Sequence, residues 1–492
     1  MKTASRRTRI VATLGPATDA PGMLERALRA GIDVVRLNLS HGTPEDHLRR
    51  ARQAHAIAAR LGREVGVLAD LQGPKIRIDR FADGPIQLEP GAAFTLDCRA
   101  GAPAGDATRV GVSYLGLPGD VKAGDHLLLD DGLVELEVTG VDGTAIHCTV
   151  VIGGQLSDRK GLNRKGGGLS LNALSDKDRA DIKLAAELKA DFLAVSFVRS
   201  AADIVEARAL LREAGGDAWL IAKIERAEAI GKLEEIIDAS DAVMVARGDL
   251  GVEIGDAELP GLQKKIIREA LARNRAVITA TQMLQSMVES PIPTRAEVLD
   301  VANAVIDGTD AVMLSAESAA GKHPDAAVAA MARICLGAER QFEAREKIST
   351  RTHRLDRSDQ AIAMAAMFLA TQMPVRAIVA LTESGTTAQW LSRYRSSVPI
   401  YALTPSAEAR RHMLLLRDVK PMPFAAERTP VTVVRQVIRD AVCQLFASGD
   451  LAEGDRVLVT HGDHTGRGGG TNSLKLLSVG ANGIAESLRD LQ

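Results

Sequence analysis

Aromatic residues are scarce in this chain of 492 residues: two Trp, three Tyr and eight Phe make up 3%. That excludes the stacking platforms on which unpaired bases are held. A net charge of −2 leaves no field that would gather nucleic acid or an anionic membrane. The four cysteines, Cys98, Cys148, Cys335 and Cys443, are scattered with no C-x-x-C pair. Neither a zinc site nor a disulfide framework is expected, and a reducing cytoplasm suits them. No apolar run approaches ~18 residues, and the basic start MKTASRRTRIVATLG has no apolar stretch of the secretory kind before it becomes strand-like. Neither a membrane span nor a signal peptide is read. What remains, 46% hydrophobic and 25% charged, is the composition of an ordinary globular chain, long enough for about three domains.

From Arg9 to Asp70 short apolar runs alternate with helical patterns. RIVATLG, DVVRLNLS and EVGVLADL read as strands. PGMLERALRAGI, with Met23, Leu24, Ala27 and Leu28 on one face, and TPEDHLRRARQAHAIAARLG read as helices. Strand–helix–strand at this spacing predicts a parallel sheet. After about Arg77 the helical period disappears. Alternating runs flank Asp131-Gly132 and Asp142-Gly143, a strong hairpin signal, so a small all-β insertion is predicted as far as about Val151. Helices resume at LSDKDRADIKLAAELKA, where Ser175 and Asp178 form a capping box. Five further strands follow: FLAVSFV, WLIAKIE, AVMVARGDLG, AVITATQML and DAVMLSAES. Three and five make eight β/α units in roughly 250 residues, the arithmetic of a TIM (β/α)8 barrel. An open doubly wound sheet is the competitor, but no G-x-G-x-x-G follows any strand. A polar segment around 345–358 leads to a third alternating region, a separate α/β domain. The predicted boundaries are 1–73 and 162–345 for the barrel, 74–161 for an inserted β-rich lid, and 346–492 for the C-terminal domain.

A barrel gathers its chemistry at the C-terminal ends of its strands. The second strand here ends in Arg36, Asn38 and Ser40, placed on one face by i, i+2, i+4 spacing, and then His41. The third ends at Asp70, followed across Gly73-Pro74 by Lys75 and Arg77. Later tips carry Lys223 and Glu225, Arg247-Gly248-Asp249, Thr279 to Gln282, and Ser315 with Glu317. Singly, each reads as a solvated loop, a surface ion pair or a turn acid. Together they are too many polar groups to bury unpaired without cost. Glu225 and Asp249 suit a hard divalent ion, Mg²⁺ or Mn²⁺, that keeps several waters. Arg36 and Lys223 bring positive charge, and amides opening a helix at RGDLG can hold an anion. Cations and a divalent ion around an anion are the equipment of phosphoryl transfer.

VVRLNLSHG, DLQGPKIR, AKIERAEAI, MVARGDLGVEI, TATQML and PTRAEVLDVANAVIDGTDAVMLSAES resemble, in order and spacing, the signatures of the pyruvate kinase family. The resemblance covers essentially the whole chain, with the same domain order. It implies transfer of the phosphoryl group of phosphoenolpyruvate to ADP, giving ATP and the enolate of pyruvate, at the end of glycolysis. By the same resemblance Lys223 stabilises the phosphoryl group in flight and Arg36 grips it. Glu225 and Asp249 hold Mg²⁺, and Gly248 and Asp249 offer amides to the substrate carboxylate. Thr281 lies near the enolate carbon, with Ser315 and Glu317 in a water relay that protonates it. Asn38, Ser40, His41, Arg77 and Lys160 face the nucleotide, and the inserted domain closes as a lid against water. A homotetramer with contacts through the barrel and the C-terminal domain is implied too, with no nucleic-acid or membrane partner.

Two refinements come from the same source. Many members hold K⁺ with Asn, Ser and Asp side chains and one backbone carbonyl, positions matching Asn38, Ser40, Asp70 and the carbonyl of Leu71. Members that dispense with K⁺ carry Lys where this chain has Lys75 and an aliphatic residue like Ile78 three further on. K⁺ is therefore not expected to be required, the Lys75 ammonium supplying its charge near Asp70. In LTESGTTAQW, Thr382, Ser384, Gly385, Thr386 and Thr387 resemble the family's effector loop, a phosphate pocket at a helix start. Glu383 stands where relatives activated by fructose 1,6-bisphosphate often carry a base, which implies a sugar monophosphate or AMP instead, with His461 and His464 as further contacts. Two other readings compete. A Mg²⁺-dependent barrel aldolase or lyase working through a pyruvate enolate explains Glu225 and Asp249 but not Lys223 or the lid. A non-catalytic sensor would have lost one of Lys223, Glu225 and Asp249.

Overall fold

A computed structural model of the chain describes residues 6–341, 355, 357–394, 396–425, 434–462 and 470–484. Eight parallel strands close a barrel in chain order: β1 Arg9–Thr13, β2 Val34–Asn38, β3 Gly66–Asp70, β4 Phe192–Val195, β5 Trp219–Ile224, β6 Ala242–Ala246, β7 Ala276–Ala280 and β8 Ala311–Leu314. Every residue of β3, β4, β6, β7 and β8 is buried. Helices outside and side chains inside cover both faces of a parallel strand, which is why these segments read as continuous apolar runs rather than alternations.

The inserted domain has a six-stranded sheet, a two-stranded sheet and its own core around Phe94, Leu96, Leu127 and Leu136. Both Asp-Gly hairpins form. Asp131 and Gly132 take φ of 54° and 89° between His126–Leu129 and Val134–Asp142, and Gly143, at 55°, leads into Ala145–Ile152. The lid does not end at residue 161. Leu162–Arg164 pairs with His126–Leu129, and Leu162, Leu169 and Leu171 pack with the lid core, so the boundary lies about ten residues later. Three residues are too few to show a period of two, which is why the sequence pattern missed this strand. The boundary placed at 345–346 lies outside the described residues.

Both ends of the insertion meet at one carboxylate. Gly73, at φ 68°, donates its amide to Asp178 Oδ1 at 2.9 Å, while Asp178 Oδ2 accepts the amide of Ser175 at 2.9 Å. The capping box opening the helix Asp176–Glu187 is thus also the anchor of the lid.

The C-terminal domain is a five-stranded sheet, β9 Ala377–Leu381, β10 Ile400–Thr404, β11 Val419–Pro423, β12 Arg456–Gly462 and β13 Thr471–Ser478, in the order β11-β10-β9-β12-β13 with only β13 antiparallel. It closes the N-terminal mouth of the barrel. One apolar cluster runs from Val11, Leu68, Ile221 and Met244 in the barrel to Leu414, Leu415, Leu416 and Val419.

That mouth carries a repeated device. β2, β4, β6 and β8 are each preceded by an aspartate: Asp33, Asp191, Asp241 and Asp310. Each carboxylate accepts an amide from the preceding strand, of Ile10, Val67, Leu220 and Val277 respectively, at 2.8–3.0 Å. Each aspartate amide returns a bond to the carbonyl of that same residue. Four arginines neutralise the set: Arg6, Arg411, Arg208 and Arg393 at 2.6–2.9 Å, in that order. Arg393 and Arg411 belong to the C-terminal domain, so the strand-pairing device also fastens the two domains. Among the described residues no helix is long and apolar enough to cross a membrane.

Candidate active site

At the other mouth the polar strand tips converge. Arg36 on β2 donates through Nε to Asp70 Oδ2 at 2.6 Å and through Nη1 to Thr13 Oγ1 at 2.9 Å. Asp70 is fully buried at the tip of β3. Its other oxygen lies 3.5 Å from Lys223 Nζ, which lies 3.3 Å from Glu225 Oε2 and donates to Ser196 Oγ at 2.6 Å. Two cations and two carboxylates thus form one buried chain. Burial alone would lower the Lys223 ammonium, but Asp70 and Glu225 outweigh it and hold it above the usual lysine range. Burial would raise Asp70, but Lys223 and Arg36 keep it low. Glu225 goes the other way: burial pushes it up to about 7, against Lys223 and with help from Asp249.

Asp249 lies in the first turn of the helix Arg247–Ile254 rather than on the strand. Its carboxylate is 3.3 Å from Lys75 Nζ. The Lys75 ammonium, whose charge was expected near Asp70, makes its ion pair with Asp249, while Asp70 faces Arg36 and Lys223. Glu225 Oε1 accepts the Phe197 amide at 2.6 Å, while Oε2 is buried with no hydrogen-bond partner. An unbonded buried carboxylate oxygen beside a second, part-exposed carboxylate fits a hard divalent ion. Mg²⁺ takes one or two carboxylates and completes its shell with water and phosphate oxygens.

Thr281 and Gln282 both stand at positive φ, 66° and 53°. Such strain persists only where surroundings impose it. Arg247 does so here, donating to the carbonyls of Ala280 and Thr281 while paired with Asp300 at 2.7 Å. Thr281 Oγ1 in turn accepts the Gly248 amide at 2.8 Å. Glu317, expected in a water relay with Ser315, lies beneath the β8 tip. It is fully buried, with Oε1 accepting from Leu284 N and Oε2 from Ser315 N. It braces the turn that presents the partly exposed Ser315 rather than meeting solvent itself.

Asn38 Oδ1 accepts the Ser40 amide at 3.2 Å, folding the β2 tip back, and the His41 carbonyl bonds His47 Nε2. Arg77 and Lys160 sit in the lid on paired segments. Arg77 donates to the Arg159 carbonyl, and Lys160 lies 2.8 Å from Asp130. In the C-terminal loop, Ser384 and Thr386 hydroxyls are 2.9 Å apart, and Thr382 Oγ1 accepts the Gly385 amide. Thr387 is buried against Thr471 at 2.7 Å and so supports the loop from inside. His464 lies outside the described residues. Thr13, Ser196 and Phe197, which no motif singles out, belong to this site, and Arg247, visible at a strand tip, braces it.

A barrel whose strand tips present cations and two metal-suited carboxylates under an inserted lid defines a phosphotransferase. The comparisons agree: residues 5–328 match the pyruvate kinase barrel-domain model and 360–477 the pyruvate kinase alpha/beta-domain model. The chain is 52% identical over 482 residues to pyruvate kinase II of Salmonella typhimurium, covering 96% of this chain and 99% of that one. It is 51% identical to a pyruvate kinase of Haemophilus influenzae, over 93% and 96% of the two chains. A solved pyruvate kinase from Cryptosporidium parvum superposes with a TM-score of 0.89 at 33% identity, covering 96% of each chain. The chain belongs to the pyruvate kinase family, whose members act on phosphoenolpyruvate, ADP and pyruvate and generally use Mg²⁺.

Proposed function

We propose that this chain transfers the phosphoryl group of phosphoenolpyruvate to ADP in the cytoplasm, and that the buried Lys223–Glu225–Asp70–Arg36 chain is where it does so. The observation that carries this is a lysine kept charged in a buried site by two carboxylates, neither of which is its hydrogen-bond anchor. Glu225 and Asp249 would hold Mg²⁺, which when bound neutralises phosphoryl charge. Lys223 and Arg36 point positive charge at the phosphoryl group, where charge develops in a loose transition state. The Gly248 and Asp249 amides orient the substrate carboxylate. Thr281 lies beside the enolate carbon, and Ser315 offers a hydroxyl to the protonating water, with Glu317 as its positioning residue. Asn38, Ser40, His41, Arg77 and Lys160 take the nucleotide side. Pyruvate formation from phosphoenolpyruvate and MgADP tests the assignment. Pyruvate released equally fast without ADP would point to the lyase alternative.

The K⁺ question has a specific form. Lys75 fixes a unit charge beside Asp249, at the turn that receives the substrate. A tethered ammonium there costs no recruitment of an ion, and the cluster Asn38, Ser40, Asp70 and the Leu71 carbonyl then works without K⁺. The enzyme is expected to run at near-full rate in K⁺-free tetramethylammonium buffer with MgCl₂. Lys75→Glu should lower that rate, and K⁺ should partly restore it. Many-fold stimulation of the unmodified enzyme by K⁺ at equal ionic strength would refute this.

The loop Thr382–Thr387 serves a phosphate effector. Ser384, Gly385 and Thr386 line its mouth, Thr382 and Thr387 shape it, and Glu383 disfavours a second phosphate. Activation by ribose 5-phosphate, glucose 6-phosphate or AMP is expected. Strong activation by fructose 1,6-bisphosphate with none by those three would overturn the assignment. Assembly as a homotetramer is supported by Leu299 and Ile306, exposed two turns apart on the helix Arg295–Asp307, and by β13, an edge strand among the described residues, with exposed Leu476. Light scattering at micromolar concentration should give four subunits; a monomeric mass would contradict it.

A further inference from the structure

Three hydroxyls at the barrel's strand tips share one arrangement. Thr13 Oγ1 donates to the Leu314 carbonyl at 2.9 Å and accepts from Arg36. Thr281 Oγ1 donates to the Ala280 carbonyl at 2.7 Å and accepts the Gly248 amide. Ser196 Oγ donates to the Leu71 carbonyl at 2.7 Å and accepts from Lys223 Nζ at 2.6 Å. In each, the hydroxyl proton is committed to a backbone carbonyl, so only its lone pairs face the site. Each lone pair then fixes a donor in direction without cancelling any charge.

Ser196 is the most constrained. It is 1% exposed, and its acceptor, Leu71, in turn donates its amide to the Ala194 carbonyl at 3.0 Å. The next residue, Phe197, stands at φ 56°, an outlier for a bulky side chain, and its amide holds Glu225 Oε1. Gly73 backs the pair: a Cβ there would fall 2.8 Å from Ser196 Cβ and 2.5 Å from the Phe197 ring. One dipeptide therefore grips both Lys223 and Glu225 from the same side. Without it, nothing directional competes with the two carboxylates 3.3 and 3.5 Å from the ammonium. The lysine would then turn into a closed ion pair, away from a substrate.

We propose that Ser196 is a positioning residue for phosphoryl transfer: its lone pair holds the Lys223 ammonium off Glu225 and Asp70 and directed at the phosphoryl group. The proposal rests on the phosphoryl role of Lys223. Ser196→Ala removes the acceptor, and Ser196→Cys leaves only a weak one while filling the space at least as fully, so packing and hydrogen bonding separate. Both variants are expected to lose more than about tenfold in kcat for phosphoryl transfer. KM for phosphoenolpyruvate and the rate of proton exchange at C3 of pyruvate should stay within about threefold, because neither requires the aimed ammonium. Recovery of transfer by Ser196→Cys, or an equal loss of transfer and exchange, would show that Ser196 only packs and would overturn the proposal. Lys223→Met in parallel keeps the two questions apart. If it retains its kcat, the role of Lys223 is at fault. If it collapses while both Ser196 variants keep theirs, the positioning claim fails alone.

Discussion

Lys223→Met is expected to lower kcat for phosphoryl transfer by at least about a hundredfold, roughly 2.7 kcal/mol of transition-state stabilisation. The side chain is only 14% exposed, so water cannot substitute for the missing charge, and the field of a buried ammonium is correspondingly strong. Methionine keeps the length and apolar stem of the lysine, and the fold should tolerate it. Proton exchange at C3 of pyruvate should survive better than transfer, since it needs the enolate held but no phosphoryl group moved. A variant keeping more than about a tenth of the wild-type kcat, a loss under ~1.4 kcal/mol, would show that the ammonium is not aimed at the reaction.

The largest effect on stability is expected at the opposite mouth. Arg393 meets Asp310 through two bonds of 2.9 and 2.6 Å, with 1% and 0% of the two side chains exposed. Asp310 also carries the amides of Val277 and Arg417, so it ties β7, β8 and the C-terminal domain into one knot. Removing one member of a buried pair strands the other's charge, at a typical cost of about 3–5 kcal/mol. Arg393→Met should therefore lower the thermal midpoint by roughly 3–5 °C, since an unfolding entropy of about 2.1 cal/mol/K per residue puts a chain of this length near 1 °C per kcal/mol. Adding Asp310→Asn should return part of the loss, because the stranded charge goes with it. A single variant melting within about 2 °C of the parent would mean that the apolar cluster alone holds the domains together.

How much of this was legible in the sequence depends on the kind of signal. The barrel was, because a doubly covered parallel strand imprints a continuous apolar run and eight of them recur at regular spacing. Arg36, Asp70, Lys223, Glu225 and Asp249 were legible as polar endings to such runs. Thr13 and Ser196 end β1 and the β4 turn in the same way. A hydroxyl at a strand tip passes unnoticed, however, because Ser and Thr are ordinary in turns. Phe197 carried no signal at all, since its contribution is a backbone amide in an unusual conformation, and side-chain chemistry says nothing of that. Nor could spacing decide that Lys75 faces Asp249: both lie near the same mouth, and only the folded positions show Asp70 already taken by Arg36 and Lys223. The four aspartates opening alternate strands were visible as letters, yet their meaning lies in cross-strand register, which a linear reading does not supply.

The carboxylate of Asp178, which holds Gly73 on one side and Ser175 on the other, bears on how such a molecule can be assembled and altered. Two chain ends bound to the same side chain are close enough to be rejoined by a very short linker, and insertions between such ends leave the host domain's own contacts intact. The barrel therefore does not need the lid in order to close. The lid in turn has its own core, and besides this anchor it meets the barrel through Lys75 with Asp249, the Gly166 amide with the Glu253 carbonyl and the Gly168 amide with Glu228. It is an inserted module, and replacing it by a few residues is expected to leave the scaffold beneath folded.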